Sequence, residues 1–480
     1  MKLKLYACVF LSVALMVPGS ATARTLDVVP GTSTDALRTA VASAAAGDTL
    51  FLAAGTYQGP VTIDRTMTVT SYGDAVIDGG GAGCVLNVTA PDVTLRRLTI
   101  RNSGTSLTRE DAGVSGGAAR LRVEDCRIEN VLFGIYLRQA PDAIVQGNTI
   151  VGYRALDVPR RGDLVRAWYS RGLHMVSNTL ESGRDVIVWF SDSSLVANNT
   201  VSGARYGVHF MYDNDCTATG NILTNNAVGV YMMYSRRLSV TNNTIAYNRG
   251  TTGLGIGLKD VDDSTVAGNL VVDNCSGIYV DNSPRDIDSH LRYERNAVAF
   301  NDDGMRFIGV VERTEVTNNS FIDNYEDVLA EGGRELSGVD WHKNFWSGLT
   351  GFDLDGDGVS DVPYRAERLF EDLIAHHPRL RLFIYSPAIE ALDLAARAFP
   401  VVRPEAKFTD ETPRVQAMLP AEAPGLLRPP AWSLACVSAA LAALGISTAL
   451  LGNVDAGPLG RFRVRRPRTS AALMREEGER

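Results

Sequence analysis

Three side chains with soft donor atoms stand at matching places in two neighbouring repeats of this chain. His209 and Met211 belong to the segment Arg205-Tyr-Gly-Val-His-Phe-Met-Tyr, and Met233 ends the segment Val230-Tyr-Met-Met one repeat later. One imidazole with two thioethers is a ligand set that suits Cu(I). If the two segments are adjacent strands, the three side chains share one face, and we predict a Cu(I) site there.

The elements that would position these residues are indicated by nine asparagines that recur 21 to 30 residues apart. Each asparagine lies beside short runs of β-favouring residues, as Asn243 does in Asn-Thr-Ile. A second marker precedes several of them at a constant distance, as Gly229-Val-Tyr precedes Asn243. A period of this length with two strand-like runs is typical of a solenoid. The nine are Asn148, Asn178, Asn199, Asn221, Asn243, Asn269, Asn296, Asn319 and Asn344.

We therefore predict an all-β fold, a right-handed parallel β-helix of the pectin-lyase type. Each asparagine would bond to its counterpart in the next coil, with coils about 4.8 Å apart. Each coil buries its apolar side only against its neighbours, so the repeats form one long domain. The coils are expected from residue 24 to about 347, and a helix within Thr34–Ala46 is expected to cap the open end.

The two ends of the chain carry segments with other roles. Residues 1–23 join two lysines to an apolar run and a small-residue cleavage site, which predicts a signal peptide. A β-helix domain over 24–385 is followed by a predicted capping helix and extended arm over 386–430. Residues 431–452 are uncharged and precede a basic tail over 453–480, which predicts a transmembrane helix with a cytoplasmic tail. An alanine-rich helix packed on protein is the alternative for that segment.

Charge and cysteine content argue against a nucleic-acid partner and against a disulfide framework. The net charge is −8 with a pI near 5.4, and the repeats show no basic stripe, so we expect no nucleic-acid partner. Five cysteines remain after the signal peptide, in scattered positions and without a CxxC pair. This pattern does not indicate a disulfide framework.

Strand alternation places six side chains on the outside of three consecutive coils. This outer patch consists of Ile187, Trp189, His209, Met211, Tyr231 and Met233. A soluble solenoid rarely exposes such a patch, and it has three interpretations. The C-terminal arm or a loop covers it, a partner protein docks on it through Ile187, Trp189 and Tyr231, or it binds Cu(I) with Trp189 shielding the metal. Docking and metal binding are compatible.

A second metal motif is acidic and lies beyond the repeats. In Asp353-Leu-Asp355-Gly-Asp357-Gly-Val-Ser-Asp361, oxygen ligands at positions 1, 3, 5 and 9 match the first part of a calcium loop. Position 12 is Tyr364 instead of a glutamate, so the motif is not an EF-hand. We predict a structural Ca²⁺ that holds the last coil, and an acidic turn without metal is the alternative.

Several separate segments resemble the NosD family, the maturation proteins of nitrous-oxide reductase. They include Arg184-Asp-Val-Ile-Val-Trp-Phe-Ser, Gly253-Leu-Gly-Ile-Gly-Leu-Lys-Asp, Lys343-Asn-Phe-Trp-Ser and Phe383-Ile-Tyr-Ser-Pro-Ala-Ile-Glu, and the similarity spans about residues 25–420. The resemblance implies a periplasmic, copper-binding β-helix that helps to assemble the copper–sulfur cluster of the reductase. It also implies an ABC transporter permease and ATPase, the reductase and a copper donor protein as partners. It assigns no catalytic residue, and the apparent transmembrane helix departs from the family's soluble periplasmic body.

A carbohydrate-active enzyme is the rival class, because many β-helices are polysaccharide lyases, epimerases or hydrolases. Such enzymes need a carboxylate pair or a basic set within a groove. The candidates here are Asp260, Asp262, Asp263, His209 and Arg205. The outer patch shows methionine and aromatic residues instead, so we expect an assembly factor that is not an enzyme. A metal-free docking scaffold is the third class.

Overall fold

The computed structural model describes residues 23–31, 35–331, 336–367, 373, 377–383, 386, 388–389, 391–392 and 406–420. The predicted transmembrane helix, the basic tail and all but the last residue of the predicted signal peptide lie outside the described residues. Within the described part of the chain, no helix has the length and apolar character that crossing a bilayer requires.

The chain winds into a right-handed parallel β-helix of about 14 turns, which confirms the predicted fold. Three parallel sheets form its sides, and every complete turn contributes one strand to each sheet in the same order. Sheet 1 contains Thr25–Val28, Thr49–Leu52, Thr68–Ser71, Thr94–Arg96, Arg122–Glu124, Ile144–Gln146, His174–Val176, Leu195–Ala197, Thr217–Thr219, Ser239–Thr241, Ser264–Ala267, Leu291–Glu294, Thr314–Thr317 and Val339–His342.

Sheet 2 contains Gly55–Gln58, Ala75–Asp78, Thr99–Arg101, Arg127–Val131, Thr149–Gly152, Thr179–Glu181, Thr200–Ser202, Ile222–Thr224, Thr244–Ala246, Leu270–Val272, Ala297–Ala299, Ser320–Ile322 and Phe345–Trp346. Sheet 3 contains Val61–Ile63, Leu86–Val88, Ala112–Gly116, Phe133–Arg138, Val165–Trp168, Asp185–Trp189, Tyr206–Met211, Val228–Met233, Leu254–Lys259, Ser276–Asp281, Asp303–Ile308 and Glu326–Ala330. The strands are short because a turn follows after every few residues. The longest strands lie in sheet 3, which carries the outer patch.

Alternation along each strand separates the core from the surface. In the strand Tyr206–Met211, Val208 and Phe210 point inward and are fully buried. Phe210 pairs with Val188 in the preceding coil and with Met232 in the following one, and both are buried in the same way. Apolar side chains therefore stack in columns along the axis, and each coil is stabilised by the coil before and the coil after it.

The predicted asparagine ladder is present and continuous. The side-chain oxygen of Asn243 accepts hydrogen bonds from the backbone N–H and the side-chain amide of Asn221, both at 2.9 Å. Asn243 in turn donates to Asn269 from its backbone N–H at 2.9 Å and its side-chain amide at 3.0 Å. Because these amides are buried, each ladder bond satisfies polar groups that water does not reach.

A second ladder of buried asparagines follows sheet 2, and the sequence analysis missed it. Asn226 donates from its backbone N–H to the side-chain oxygen of Asn248 at 2.9 Å, and the same bond recurs in the following coils. Its members are Asn226, Asn248, Asn274, Asn301 and Asn324. Their spacing of 22 to 27 residues was visible in the sequence.

A helix closes the N-terminal end of the stack. It runs over Ala36–Ser43, inside the range predicted for it, and buries Leu37 and Val41 against the first coils. Two 3₁₀ helices also occur among the described residues, over Val158–Arg160 and Pro378–Phe383. Ile389 lies within the predicted C-terminal capping helix and is buried against a cluster that includes Tyr325.

The C-terminal arm differs from its prediction where the structure describes it. We expected an extended linker, but residues 406–420 pack on the last coils. Thr409–Asp410 pairs with Tyr364–Arg365 in a small antiparallel sheet, and the ammonium of Lys407 binds the buried Glu326 at 2.8 Å. The reason is that the ladder donors of the last coil, the backbone N–H and the side-chain amide of Asn344, bind Asp410 in this segment, and a sequence pattern does not show that contact.

Candidate functional site

The outer patch lies on sheet 3 and has the predicted register. His209 pairs with Ile187 in the preceding coil and with Tyr231 in the following one. Met211 pairs with Trp189 and with Met233 in the same two coils. Two columns of outward side chains therefore run side by side along the helix axis.

The imidazole of His209 faces a thioether. Its Nε2 atom lies 3.3 Å from Sδ of Met233, one coil further along. Its Nδ1 atom is buried and has no hydrogen-bond partner among the described residues, and Oδ2 of Asp185 lies 3.9 Å from it. One ring nitrogen is thus directed at a soft donor, and the other is held in a pocket without a strong bond.

The outer patch is less exposed than its outward direction suggests. His209 is only 4% exposed and Ile187 only 7% exposed, whereas the other four members are half-buried. The ring of Tyr206 lies edge-on to His209 at 4.9 Å between centroids, and Tyr231 lies at 6.1 Å. Large side chains one strand spacing apart cover each other, so His209 is enclosed by neighbours on its own sheet.

The described part of the arm does not supply this cover. Residues 406–420 contact the last coils, where Met418 bonds to Ser320. A loop between Thr149–Gly152 and Val165–Trp168 covers a different part of sheet 3. Its Tyr153 and Leu156 pack on Phe133 and Tyr136, before the outer patch begins. The outer patch is therefore the part of sheet 3 that follows this covered region.

The electrostatics of the pocket favour a neutral imidazole. Burial lowers the pKa of His209 to about 4, against the opposing effect of Asp185. The carboxylate of Asp185 is itself buried and accepts a hydrogen bond from Nε of Arg205 at 2.9 Å. In the preceding coil, burial raises the pKa of Asp163, and the neighbouring Asp185 adds to the rise. A neutral imidazole keeps a lone pair for a metal at neutral pH.

An aromatic ladder borders the outer patch at the corner of the coils. Tyr169, Phe190, Tyr212 and Tyr234 stack with centroids 4.9 to 5.0 Å apart and planes within 14° of parallel. Tyr169 and Tyr212 are exposed at their edges. The Trp189 ring lies 5.8 Å from Phe190, and the Arg166 guanidinium lies 5.4 Å above the indole. Trp189 thus connects this ladder to the column of outward side chains that contains Met211 and Met233.

The acidic loop brings three of its four predicted ligands together. One carboxylate oxygen from each of Asp353, Asp355 and Asp357 lies within 4.8 Å of the others. Asp361 is not among them, because its carboxylate accepts the backbone N–H of Leu354 at 2.8 Å and closes the loop. Hydrogen bonds from Gly358 and Gly356 lower the pKa of Asp353.

The carboxylates that the rival enzyme class needs have structural partners. Asp262 is buried and accepts the backbone N–H groups of Arg285 and Asp286, both at 2.8 Å. Asp263 binds Arg236 at 2.6 Å. The bonds of Asp262 hold the loop that follows the next strand of sheet 3. Asp263 is half-buried and lines a cavity of about 480 Å³ together with His290, Glu315 and Asp340. This cavity lies against sheet 1, whereas the outer patch lies on sheet 3.

Two contributors to the site were not predicted from sequence. Tyr206 encloses His209. It is the first residue of its strand and lies before the alternating outward positions, so the sequence pattern did not indicate this role. Asp185 stands at the position where other coils carry the marker glycine. The replacement of a repeated glycine by a charged residue in a single coil is the signal in the sequence that could have identified Asp185 as part of the site.

Comparisons with known proteins place the chain among relatives with one description. Residues 143–351 match the family model described as a periplasmic copper-binding protein, NosD. A probable ABC transporter binding protein NosD from Pseudomonas aeruginosa is 31% identical over 380 residues, which cover 73% of this chain and 85% of the relative. The protein of the same description from Stutzerimonas stutzeri is 28% identical over 402 residues, which cover 73% and 83%.

Solved structures similar to this chain include a glucanase and a tailspike protein. The catalytic unit of an α-1,3-glucanase from Streptomyces thermodiastaticus has a TM-score of 0.48 and 15% identity, over 68% of this chain and 66% of that one. The Dettilon tailspike protein has a TM-score of 0.45 and 12% identity, over 63% and 69%.

Proposed function

This chain belongs to the NosD family, and we propose that it is a periplasmic accessory protein that holds Cu(I) transiently during maturation of nitrous-oxide reductase. In this proposal His209, Met233 and Met211 bind the ion, which is cargo for the copper–sulfur cluster of the reductase. Membership of the family supports the accessory role, and the geometry of the site supports the choice of His209, Met211 and Met233 as ligands.

The contact between His209 and Met233 is the observation that carries the proposal. An imidazole nitrogen and a thioether sulfur 3.3 Å apart are close to the separation of two ligands on one metal ion. Met211 pairs with Met233 in the register of sheet 3, on the same outer face. The resulting N/S/S set is soft, and soft ligands select Cu(I) over Mg²⁺ or Ca²⁺.

The protonation state of the site also fits a metal ligand. The low pKa of His209 means that binding does not have to displace a proton from the imidazole at neutral pH. Oδ2 of Asp185 lies 3.9 Å from the Nδ1 atom. A carboxylate behind a metal-bound histidine commonly holds the ring in one tautomer.

The exposure of the site fits a transient role. His209 is enclosed, whereas Met211 and Met233 are half-buried and open to an approaching protein. Ile187, Trp189 and Tyr231 surround them, and we propose this surface as the place where partners dock. Aromatic residues and methionine are enriched at such surfaces. The proposed partners are an ABC transporter permease and ATPase, a copper donor protein and the reductase.

A complementation experiment tests this function. A denitrifying strain lacking the protein receives the wild type, the variant His209→Ala/Met211→Ala/Met233→Ala, or the control His174→Ala/Met418→Ala. The control removes a histidine of sheet 1 and a methionine of the C-terminal arm, both away from the outer patch. We expect reductase with its copper–sulfur cluster from the wild type and the control, and reductase without the cluster from the triple variant. Full cluster content with the triple variant would contradict the proposal.

The same proposal assigns no enzymatic reaction to the protein. The six side chains of the outer patch include no carboxylate, Asp262 accepts the backbone N–H of Arg285, and Asp263 is paired with Arg236. We therefore expect no cleavage or epimerisation of alginate, pectate or related polysaccharides by the purified protein. Turnover of any of these substrates that is lost in Asp263→Asn would move the protein to the carbohydrate-active class.

A further inference from the structure

A ladder of buried serines follows sheet 3 at the corner beside the outer patch. The hydroxyl of Ser191 accepts the backbone N–H of Ser170 at 2.8 Å and donates to the carbonyl of Trp189, two residues earlier, at 2.9 Å. The same pair of bonds recurs in other coils. Ser170, Ser235 and Ser283 each accept a backbone N–H from the preceding coil and donate to the carbonyl two residues before them.

Asp213 takes the place of serine in one coil of this ladder. Its Oδ1 atom accepts the backbone N–H of Ser191 at 2.6 Å, so the bond between coils is kept. Its Oδ2 atom accepts the backbone N–H of Met211 at 2.9 Å. The serines hold the residue two places earlier by its carbonyl, whereas Asp213 holds Met211 by its amide. The direction of this hydrogen bond is therefore reversed in the coil that carries His209 and Met211: the side chain at the corner accepts from the residue two places earlier, whereas the serines donate to it.

The stacking of the coils does not require this aspartate. Asp213 is completely buried, and it has no ion-pair partner among the described residues. Burying a carboxyl group away from a counter-charge is unfavourable compared with burying a bonded hydroxyl. Serine fills the equivalent place in the coils on both sides. A group that destabilises the fold and is unnecessary for it is expected to serve the neighbouring site.

We propose that Asp213 is a positioning residue, which fixes the backbone of Met211 so that its thioether faces the same ion as His209 and Met233. This inference rests on the proposed Cu(I) site and goes beyond it, because Asp213 does not touch the metal. Its two hydrogen bonds join the ladder at the corner to the end of the strand Tyr206–Met211. Loss of the second bond would leave Met211 free to turn away.

The experiment measures Cu(I) affinity of the full-length protein by anaerobic competition with a chelator, using Cu(I) alone as the probe. Asp213→Ser should keep the ladder bond and equal or exceed the wild type in thermal stability. Its Cu(I) affinity should fall by about 10- to 100-fold, as is usual when a group behind a ligand is lost. X-ray absorption should show one sulfur ligand fewer than in the wild type. Asp213→Asn keeps the shape but turns a donor towards Met211 N–H, and it should show the same two losses.

Ser170→Ala is the matched control, because it removes a ladder acceptor two coils away. It should lower thermal stability without changing Cu(I) affinity or the number of sulfur ligands. Wild-type affinity and wild-type sulfur count in the folded Asp213 variants would overturn the inference, even if His209→Ala abolishes binding. Failure of the wild type to bind Cu(I) at all would remove the proposed function and this inference together.

Discussion

The Nε2 atom of His209 and the Sδ atom of Met233 lie 3.3 Å apart although the two residues are separated by a full coil of the β-helix. This contact exists because parallel strands in register bring residues 24 positions apart onto one face. The solenoid thus converts a repeat in the sequence into a cluster of donor atoms. Small changes in the register of sheet 3 would separate them.

The pH dependence of stability should report the enclosure of His209 in the metal-free protein. Its folded pKa of about 4 lies below the ordinary value of 6.5, so the unfolded chain binds more protons between these pH values. Stability should be fully present above pH 6.5 and should decrease as the pH falls towards 4, by up to about 3 kcal/mol from this residue. His209→Gln should remove this part of the acid sensitivity in thermal unfolding measured from pH 7 to pH 4. An unchanged profile would show that His209 is not enclosed.

Removal of one ladder asparagine should destabilise the coils strongly. Asn243→Ala leaves the amides of Asn221 and the carbonyl of Ala218 without their partners. The expected loss is about 3 kcal/mol or more, because several buried polar groups become unsatisfied at once. Thermal unfolding followed by circular dichroism measures it. Asn87→Ala, a half-buried asparagine outside both ladders, is the control and should unfold near the wild-type temperature.

Asp410 should be replaceable by asparagine but not by alanine. Its Oδ2 atom accepts the backbone N–H and the amide of Asn344 and the indole N–H of Trp346, all at 3.1 Å. It therefore ends the ladder as the next asparagine would. Asp410→Asn should unfold close to the wild type, whereas Asp410→Ala should expose the last coil to rapid hydrogen exchange. Equal protection of the last coil in both variants would contradict this assignment.

Calcium should stabilise the acidic loop if the predicted ion binds there. The three grouped carboxylates of Asp353, Asp355 and Asp357 repel one another without a cation. We expect added Ca²⁺ to raise the thermal midpoint of the wild type and to have no effect on Asp355→Ala. The exposed Asp340→Asn is the control and should respond like the wild type. A wild type that ignores Ca²⁺ would leave the loop as an acidic turn.

Much of the fold was predictable because repetition makes the register visible. The spacing of the ladder asparagines, with Gly207 and Gly229 as phase markers, was sufficient to place His209 opposite Tyr231 and Met211 opposite Met233. The second asparagine ladder had the same regularity in the sequence and was overlooked. These features are periodic, and periodicity is what a single sequence shows most clearly.

The features that the sequence did not predict depend on single contacts that do not recur from coil to coil. The enclosure of His209 arises from the particular rings of Tyr206 and Tyr231, and the bond of Asp213 to Met211 depends on one exception to a serine ladder. The packing of residues 406–420 on the last coil joins segments about 66 residues apart, as in the bond of Asn344 to Asp410. The closing bond of Asp361 to Leu354 likewise reflects local loop geometry rather than motif spacing.

The central claim is that His209 and Met233 hold one Cu(I) ion, and anaerobic titration against a competing chelator tests it most directly. The wild type, His209→Ala, Met233→Ala and the control His174→Ala would be titrated under identical conditions. We predict one Cu(I) per wild-type and control chain, and a weaker or absent site in both single variants. Binding of equal strength and stoichiometry in all four proteins would place copper elsewhere and contradict the account.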